Sequence, residues 1–163
     1  MARTDCNFSF SMSYEMKFKA AIRGHHVYQV TWTPILDEVL IGKKDNREEA
    51  KEYDLDAVGA YKESPDEGNL DLTGHVPIEL SRVLAGFLAA SETNSLTVKV
   101  CGKRKREVGL VFPGCYQART NRKKVAEILS QEIKKIKERY PYFELDIEQD
   151  AVRKPLLVKH EES

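Results

Sequence analysis

A change of hydrophobic period along the chain constrains its fold more than any other feature. SLTVKVCG, from Ser95, alternates apolar and polar residues, as a strand with one buried face does. ELSRVLAGFLAA, from Glu79, repeats instead at helical spacing through Leu80, Val83, Leu84, Phe87 and Leu88, which predicts a core-facing helix. Pro77 suits its first turn, where a missing N–H costs nothing. The stripe Val125, Ile128, Leu129, Ile133, Ile136 and Tyr140 predicts a second helix, with Asn121 as N-cap and Pro141 as its stop.

Everything between is short and strand-like. MKFKAAI from Met16, HHVYQVTW from His25, LDEVLIG from Leu36, LDAVGAYK from Leu55 and EVGLVF from Glu107 are predicted strands. The last is ended by Pro113-Gly114 and preceded by a KRKR turn, and YFELDI from Tyr142 offers a further strand. REEAKE, from Arg47, has room for one or two helical turns. About six strands that do not alternate regularly with two helices predict a mainly β, α+β fold: a small OB-like or SH3-like barrel capped by two helices. The expected boundaries are a flexible segment over 1–15, the barrel domain over 16–147 and a charged, mobile tail over 148–163.

At 163 residues and 41% hydrophobic content the chain can bury one core. No apolar run is long enough to span a membrane. MARTDCNFSFSMSYEM lacks the basic start and apolar stretch of a secretory signal. Cys6, Cys101 and Cys115 are odd in number and lack C-x-x-C spacing, so they read as part-buried thiols in a reducing, intracellular compartment. The formal net charge is +0, yet it conceals two patches. From Asp37 to Glu79 there are 13 acids against 5 bases, and from Lys99 to Lys124 there are 9 bases against 1 acid. Local potential steers a charged ligand, so either patch can select a partner.

The motifs of catalysis are missing from the sequence: no G-x-S-x-G, no phosphate-cradling glycine loop and no H-E-x-x-H. His25 and His26 point to opposite faces of a strand, so only a composite site with His75 and a cysteine would hold a metal. Structural or surface histidines are the better reading. Asp45, Glu48, Glu49, Glu52, Asp54 and Asp56 lack the ligand spacing of a calcium loop and read as a solvated connection. The expectation is a binding module with no catalytic residues, metal or cofactor.

Lys103, Arg104, Lys105 and Arg106, with Lys99, Arg119, Arg122, Lys123 and Lys124, form a basic set that a small barrel could gather on one face. Such a set suits phosphates, a nuclear-import signal or plain solvation. Exposed rings beside it would stack on bases, and Tyr28, Trp32, Tyr53, Tyr61, Phe112 and Tyr116 are the candidates. Trp32, between a strand and Thr33-Pro34, suits display at a barrel rim.

Taken together these residues resemble the HIRAN domain, a module often fused to SNF2-type DNA-remodelling ATPases. The resemblance covers Phe18 to Tyr116. Arg23-Gly24-His25 is similar to the family's opening R-G-x-x-V, and Trp32-Thr33 to its aromatic–threonine pair. Tyr53-Asp54 with Asp56-Ala57-Val58 is similar to its Y-D-x-N-A-I, and Gly74-His75-Val76-Pro77-Ile78-Glu79-Leu80 to its V-G-H-L-x-x-E-L.

The resemblance implies an OB-like barrel that binds single-stranded DNA, in some members at a free 3′ end. Carried over by position, Trp32 and Tyr53, with Phe112 more loosely, would stack on bases. Asp54 would accept a sugar-hydroxyl hydrogen bond, and Lys103 to Arg106 would contact phosphates. The chain departs from the family at Val30-Thr31, where an Arg-Tyr pair stands, at Ala50-Lys51-Glu52, where asparagines stand, and at Asp56. It also lacks a Walker A segment, so this chain alone is not expected to remodel DNA. The expected partner is single-stranded DNA or, if the DNA site is lost, another protein, in a nuclear setting. Oligomeric state is left open.

Overall fold

A computed structural model of the chain describes the backbone of residues 8–24, 35–64, 68–103, 105–107 and 109–159, and the side chains of 13–23, 35–64, 68–103 and 111–150. The predicted strand from His25, including Trp32, lies outside the described residues, as does Arg104.

The described strands are β1 (Phe8–Gly24), β2 (Val39–Lys44), β3 (Val58–Glu63), β4 (Leu70–His75), β5 (Ser95–Val100), β6 (Lys105–Glu107), β7 (Gly109–Thr120) and β8 (Asp146–Lys159). The helices are α1 (Glu48–Lys51), α2 (Ile78–Ala90) and α3 (Lys123–Arg139). Every described pairing is antiparallel, in the order β6-β7-β5-β2-β3-β4-β1-β8 with a further β7–β1 ladder. Six strands thus form a circuit, closed between β1 and β4 at the single pair Arg23↔His75. The fold is the mainly β, OB-like arrangement the sequence predicts.

Strand phase decides what is inside. Met16, Phe18, Ala20 and Ile22 of β1 turn inward, and the β7 register Ile22↔Phe112 and Phe18↔Tyr116 puts those rings in the same interior. Leu96, Val98 and Val100 of β5 join them, as do Leu80, Leu84 and Phe87 of α2 and Leu129, Ile133 and Ile136 of α3. Tyr116 stacks on Phe18, and its hydroxyl donates to the Ala21 carbonyl at 2.7 Å, satisfying the buried phenol. Gly114 is where β7 permits this density. A Cβ there would meet Ile22 Cγ1 at 2.7 Å and Val98 Cγ1 at 2.9 Å.

Several sequence expectations are corrected. The supposed tail from 148 is most of β8, which pairs with β1 along Phe8–Lys19, so β1 also claims much of the supposed flexible start. Asp150 accepts hydrogen bonds from Ser130 and, at 2.6 Å, from Lys134, tying β8 to α3. Charge-rich sequence hid a strand whose partner is far away in the chain. β7 does not stop at Pro113-Gly114. The Pro113 carbonyl accepts from Cys101 N–H at 3.0 Å just past the end of β5, so the strand runs through the proline and forgoes only the return bond its missing N–H would have made there.

Lys105 and Arg106 lie in β6 rather than in a turn, and β4 fills a stretch for which the sequence predicts no strand. Pro77 is the N-cap of α2, one residue outside it. The N-cap of α3 is Arg122, while the Asn121 carboxamide accepts from the Thr93 hydroxyl at 3.2 Å. Ile128 and Tyr140, at the edges of the α3 stripe, remain exposed.

Candidate functional site

Asp45 is read from sequence as one of six solvated acids, but its side chain is fully buried. His75, at the end of β4, is also buried, and its Nε2 donates to Asp45 Oδ2 at 2.6 Å. Arg47 donates to the same carboxylate through Nε (3.0 Å) and its backbone N–H (3.1 Å). Burial alone would raise the Asp45 pKa. The donors on Arg47 and His75 outweigh it and hold the carboxyl below its ordinary value. For His75 burial wins, and its pKa is lowered despite the Asp45 hydrogen bond. The pair is therefore a neutral imidazole donating to a carboxylate.

This network staples down one surface segment. Asp45 N–H donates to the Ala57 carbonyl at 2.8 Å, so the ends of 45–57 meet, as in an Ω-loop. Lys44 Nζ reaches the Leu55 carbonyl at 2.7 Å. Within the loop α1 buries only Ala50, and the chain then turns back through Tyr53 N–H and Asp54 N–H, both donating to the Ala50 carbonyl. Tyr53 is displayed, 57% exposed. Asp54 is half-buried, and its Oδ1 accepts from Asp56 N–H at 2.9 Å, an Asx-turn that fixes the carboxylate.

Register places the basic hairpin at the same end of the sheet. Lys105 pairs with Val111, Val111 with Arg23, Arg23 with His75 and His75 with Gly59. With neighbouring strands about 4.8 Å apart, Lys105 lies roughly 14 Å along the sheet from His75. Lys103 and Arg23 are exposed. The other cations do not converge with these. Arg122, Lys123 and Lys124 follow the opposite end of β7, roughly 35 Å away along an extended strand. Arg119 is engaged by Glu15, its direct cross-strand partner, at 2.9 Å through Nε.

Of the rings expected to stack on bases, Tyr53 is exposed and Phe112 is not. Phe112 is 1% exposed because its strand phase turns it inward with Ile22, and Tyr116 is interior for the same reason. Both belong to the core rather than to a surface. His75 is the residue that sequence reasoning underused. Its motif was visible, but its partner Asp45 lies thirty residues upstream. Among the described residues no group of three or more His, Cys, Asp or Glu side chains is placed to hold a metal, and no helix is long and apolar enough to cross a membrane.

Two depressions flank the loop and hairpin. One, of about 630 Å³, runs from Arg23 and Val111 to the α3–β8 turn at Tyr140 and Tyr142. The other, of about 960 Å³, lies between α2 and the diverging strands β2 and β5, over Ile41, Leu88 and Leu96. No protein-family model matches the chain, and no curated protein matches it by sequence. Among solved structures it is similar to the HIRAN domain of human HLTF, with a TM-score of 0.54 and 16% identity over 77% of this chain and 93% of that one. At that identity the similarity shows a shared fold: a mostly antiparallel, OB-like β-sheet carrying helices.

Proposed function

We propose that the chain is a non-catalytic, HIRAN-like module that binds single-stranded DNA or DNA at an exposed 3′ end. One observation carries the reading: the cross-strand row from Lys105 to His75 puts the basic hairpin at the same end of the sheet as the strand end next to the loop displaying Tyr53 and Asp54. Tyr53 offers a face for a base, Asp54 an acceptor for a sugar hydroxyl, and Lys103 to Arg106 positive charge for phosphates. The neighbouring carboxylates Glu48, Glu49 and Glu52 oppose phosphate, so affinity rests on the hairpin side.

Fluorescence anisotropy with a labelled oligonucleotide tests this. If four cations each neutralise one phosphate, a rise from about 50 to about 200 mM salt weakens binding about 50-fold. No binding at the lower salt overturns the reading.

A second reading, a protein-binding adaptor that keeps the fold, is favoured by other surface features. Leu55 is 73% exposed and Ile78 59%, and the 960 Å³ groove has an apolar floor. The separated acidic and basic patches also permit head-to-tail self-association. Light scattering across a salt series distinguishes this: a mass that falls as salt rises supports it, and a monomer throughout removes the self-association version.

A further inference from the structure

Cys101 and Cys115 are the described thiols that neither the fold nor the proposed DNA surface uses. Both are half-buried and unbridged, on adjacent strands. Lys99 pairs with Cys115 and Val100 with Gly114, so Cys101, just past β5, lies diagonally across from Cys115. Residues 99, 101, 113 and 115 share the outward phase, opposite to the buried Val100 and Gly114. The strands are still closely apposed there: Cys101 N–H donates to the Pro113 carbonyl at 3.0 Å, and Gly102 lies against the Pro113 ring. The two thiols are near enough for each to affect the other's protonation.

We propose that Cys101 and Cys115 form a site of reversible disulfide formation, closed by exchange with a low-molecular-weight disulfide such as oxidised glutathione. One protein thiol loses its proton, attacks the glutathione disulfide and expels one glutathione thiol, leaving a mixed disulfide. The second protein thiol loses its proton, attacks the protein sulfur of that mixed disulfide and expels the second glutathione thiol. Two protein S–H bonds and one glutathione S–S bond become one protein S–S bond and two glutathione S–H bonds.

Diagonal residues of a β-ladder lie about 7–8 Å apart, just beyond the usual Cα span of a disulfide, so closure requires the backbone at Cys101 to shift along the ladder toward Cys115. Cys101 stands at the strand end before Gly102, where the backbone yields most easily. Lys19 pairs directly with Cys115 and puts an ammonium near charge developing on sulfur. Burial and the Cys115 thiol push the Cys101 thiol up to about 11, so exchange is slow near neutral pH and needs sustained oxidant. Closure pins the root of the Lys103–Arg106 hairpin to β7.

The native chain is incubated with oxidised glutathione, quenched by acid and mapped by proteolysis and mass spectrometry without reduction. The expected product is an intramolecular Cys101–Cys115 peptide, in about tenfold or greater excess over glutathionylated Cys101 or Cys115, and reversed by dithiothreitol. C101S and C115S instead retain the mixed disulfide on the remaining thiol. Stable glutathione adducts on the native chain, intermolecular dimers, or two thiols that react only after denaturation would each overturn the assignment. C6S gives the same map if Cys6 complicates the first.

Discussion

Asp45→Asn keeps the shape of the buried side chain and removes its charge. Asp45 receives His75 Nε2 at 2.6 Å, Arg47 Nε at 3.0 Å and Arg47 N–H at 3.1 Å. A hydrogen bond to a charged group contributes roughly 1.5–3 kcal/mol, against about 0.5–1.5 for a neutral one. Discounting the Arg47 contact, whose side chain is 37% exposed, the substitution costs about 2 kcal/mol in all. In urea unfolding, with a slope of about 2 kcal/mol/M, the midpoint at pH 7 falls by about 1 M while the slope is unchanged.

NMR titration adds an independent check. Asp45 raises the His75 pKa against the larger effect of burial, so D45N lowers that pKa further. An unchanged midpoint, or a His75 pKa that rises, refutes the network. The pH dependence follows from both directions of shift. Because the folded His75 pKa lies below 6.5, the unfolded chain binds the proton first. Its contribution to stability is complete above that pH and is lost as pH falls toward the folded value. The Asp45 contribution is lost only as pH falls below 3.8. D45N removes the lower step and deepens the upper one, because the His75 pKa falls further.

Tyr53→Ala should weaken oligonucleotide binding by roughly 1–3 kcal/mol in anisotropy and leave the melting temperature unchanged, since the ring is displayed rather than packed. Phe112→Ala should do the reverse in calorimetry: a cavity in the interior costs about 3–5 kcal/mol, and any loss of binding should track unfolding. Deleting 148–163 removes most of β8, the Lys19–Glu148 ion pair and the Asp150 bonds to α3. A loss of about 2 kcal/mol, or about 4–8 °C in melting temperature, is expected, whereas a mobile tail would give none.

Elements that fold on local pattern were legible in the sequence. The alternation of SLTVKV and the helical stripes through Leu84 and Ile133 name β5, α2, α3 and most of the core they bury. What long-range pairing decides was not legible. β8 looks like a solvated tail until β1 is laid beside it, and Pro113 looks like a strand stop until its carbonyl is seen to accept from Cys101 N–H at the end of the β5 ladder. Phe112 looks like a stacking ring until the register with Ile22 fixes its phase. The site divides the same way. Tyr53-Asp54 carries a motif visible in the sequence, but the burial of Asp45 depends on His75 arriving from β4, which no local signal announces.

Amide chemical-shift mapping with an unlabelled single-stranded oligonucleotide ending in a 3′ hydroxyl tests the proposed DNA surface most directly. The expected shifts cluster at Tyr53 and Asp54, at His75 and Arg23, and at Lys103 to Glu107, and they saturate together. Shifts confined to Arg122–Lys124 or to the groove between α2, β2 and β5 would contradict it, as would none at low salt.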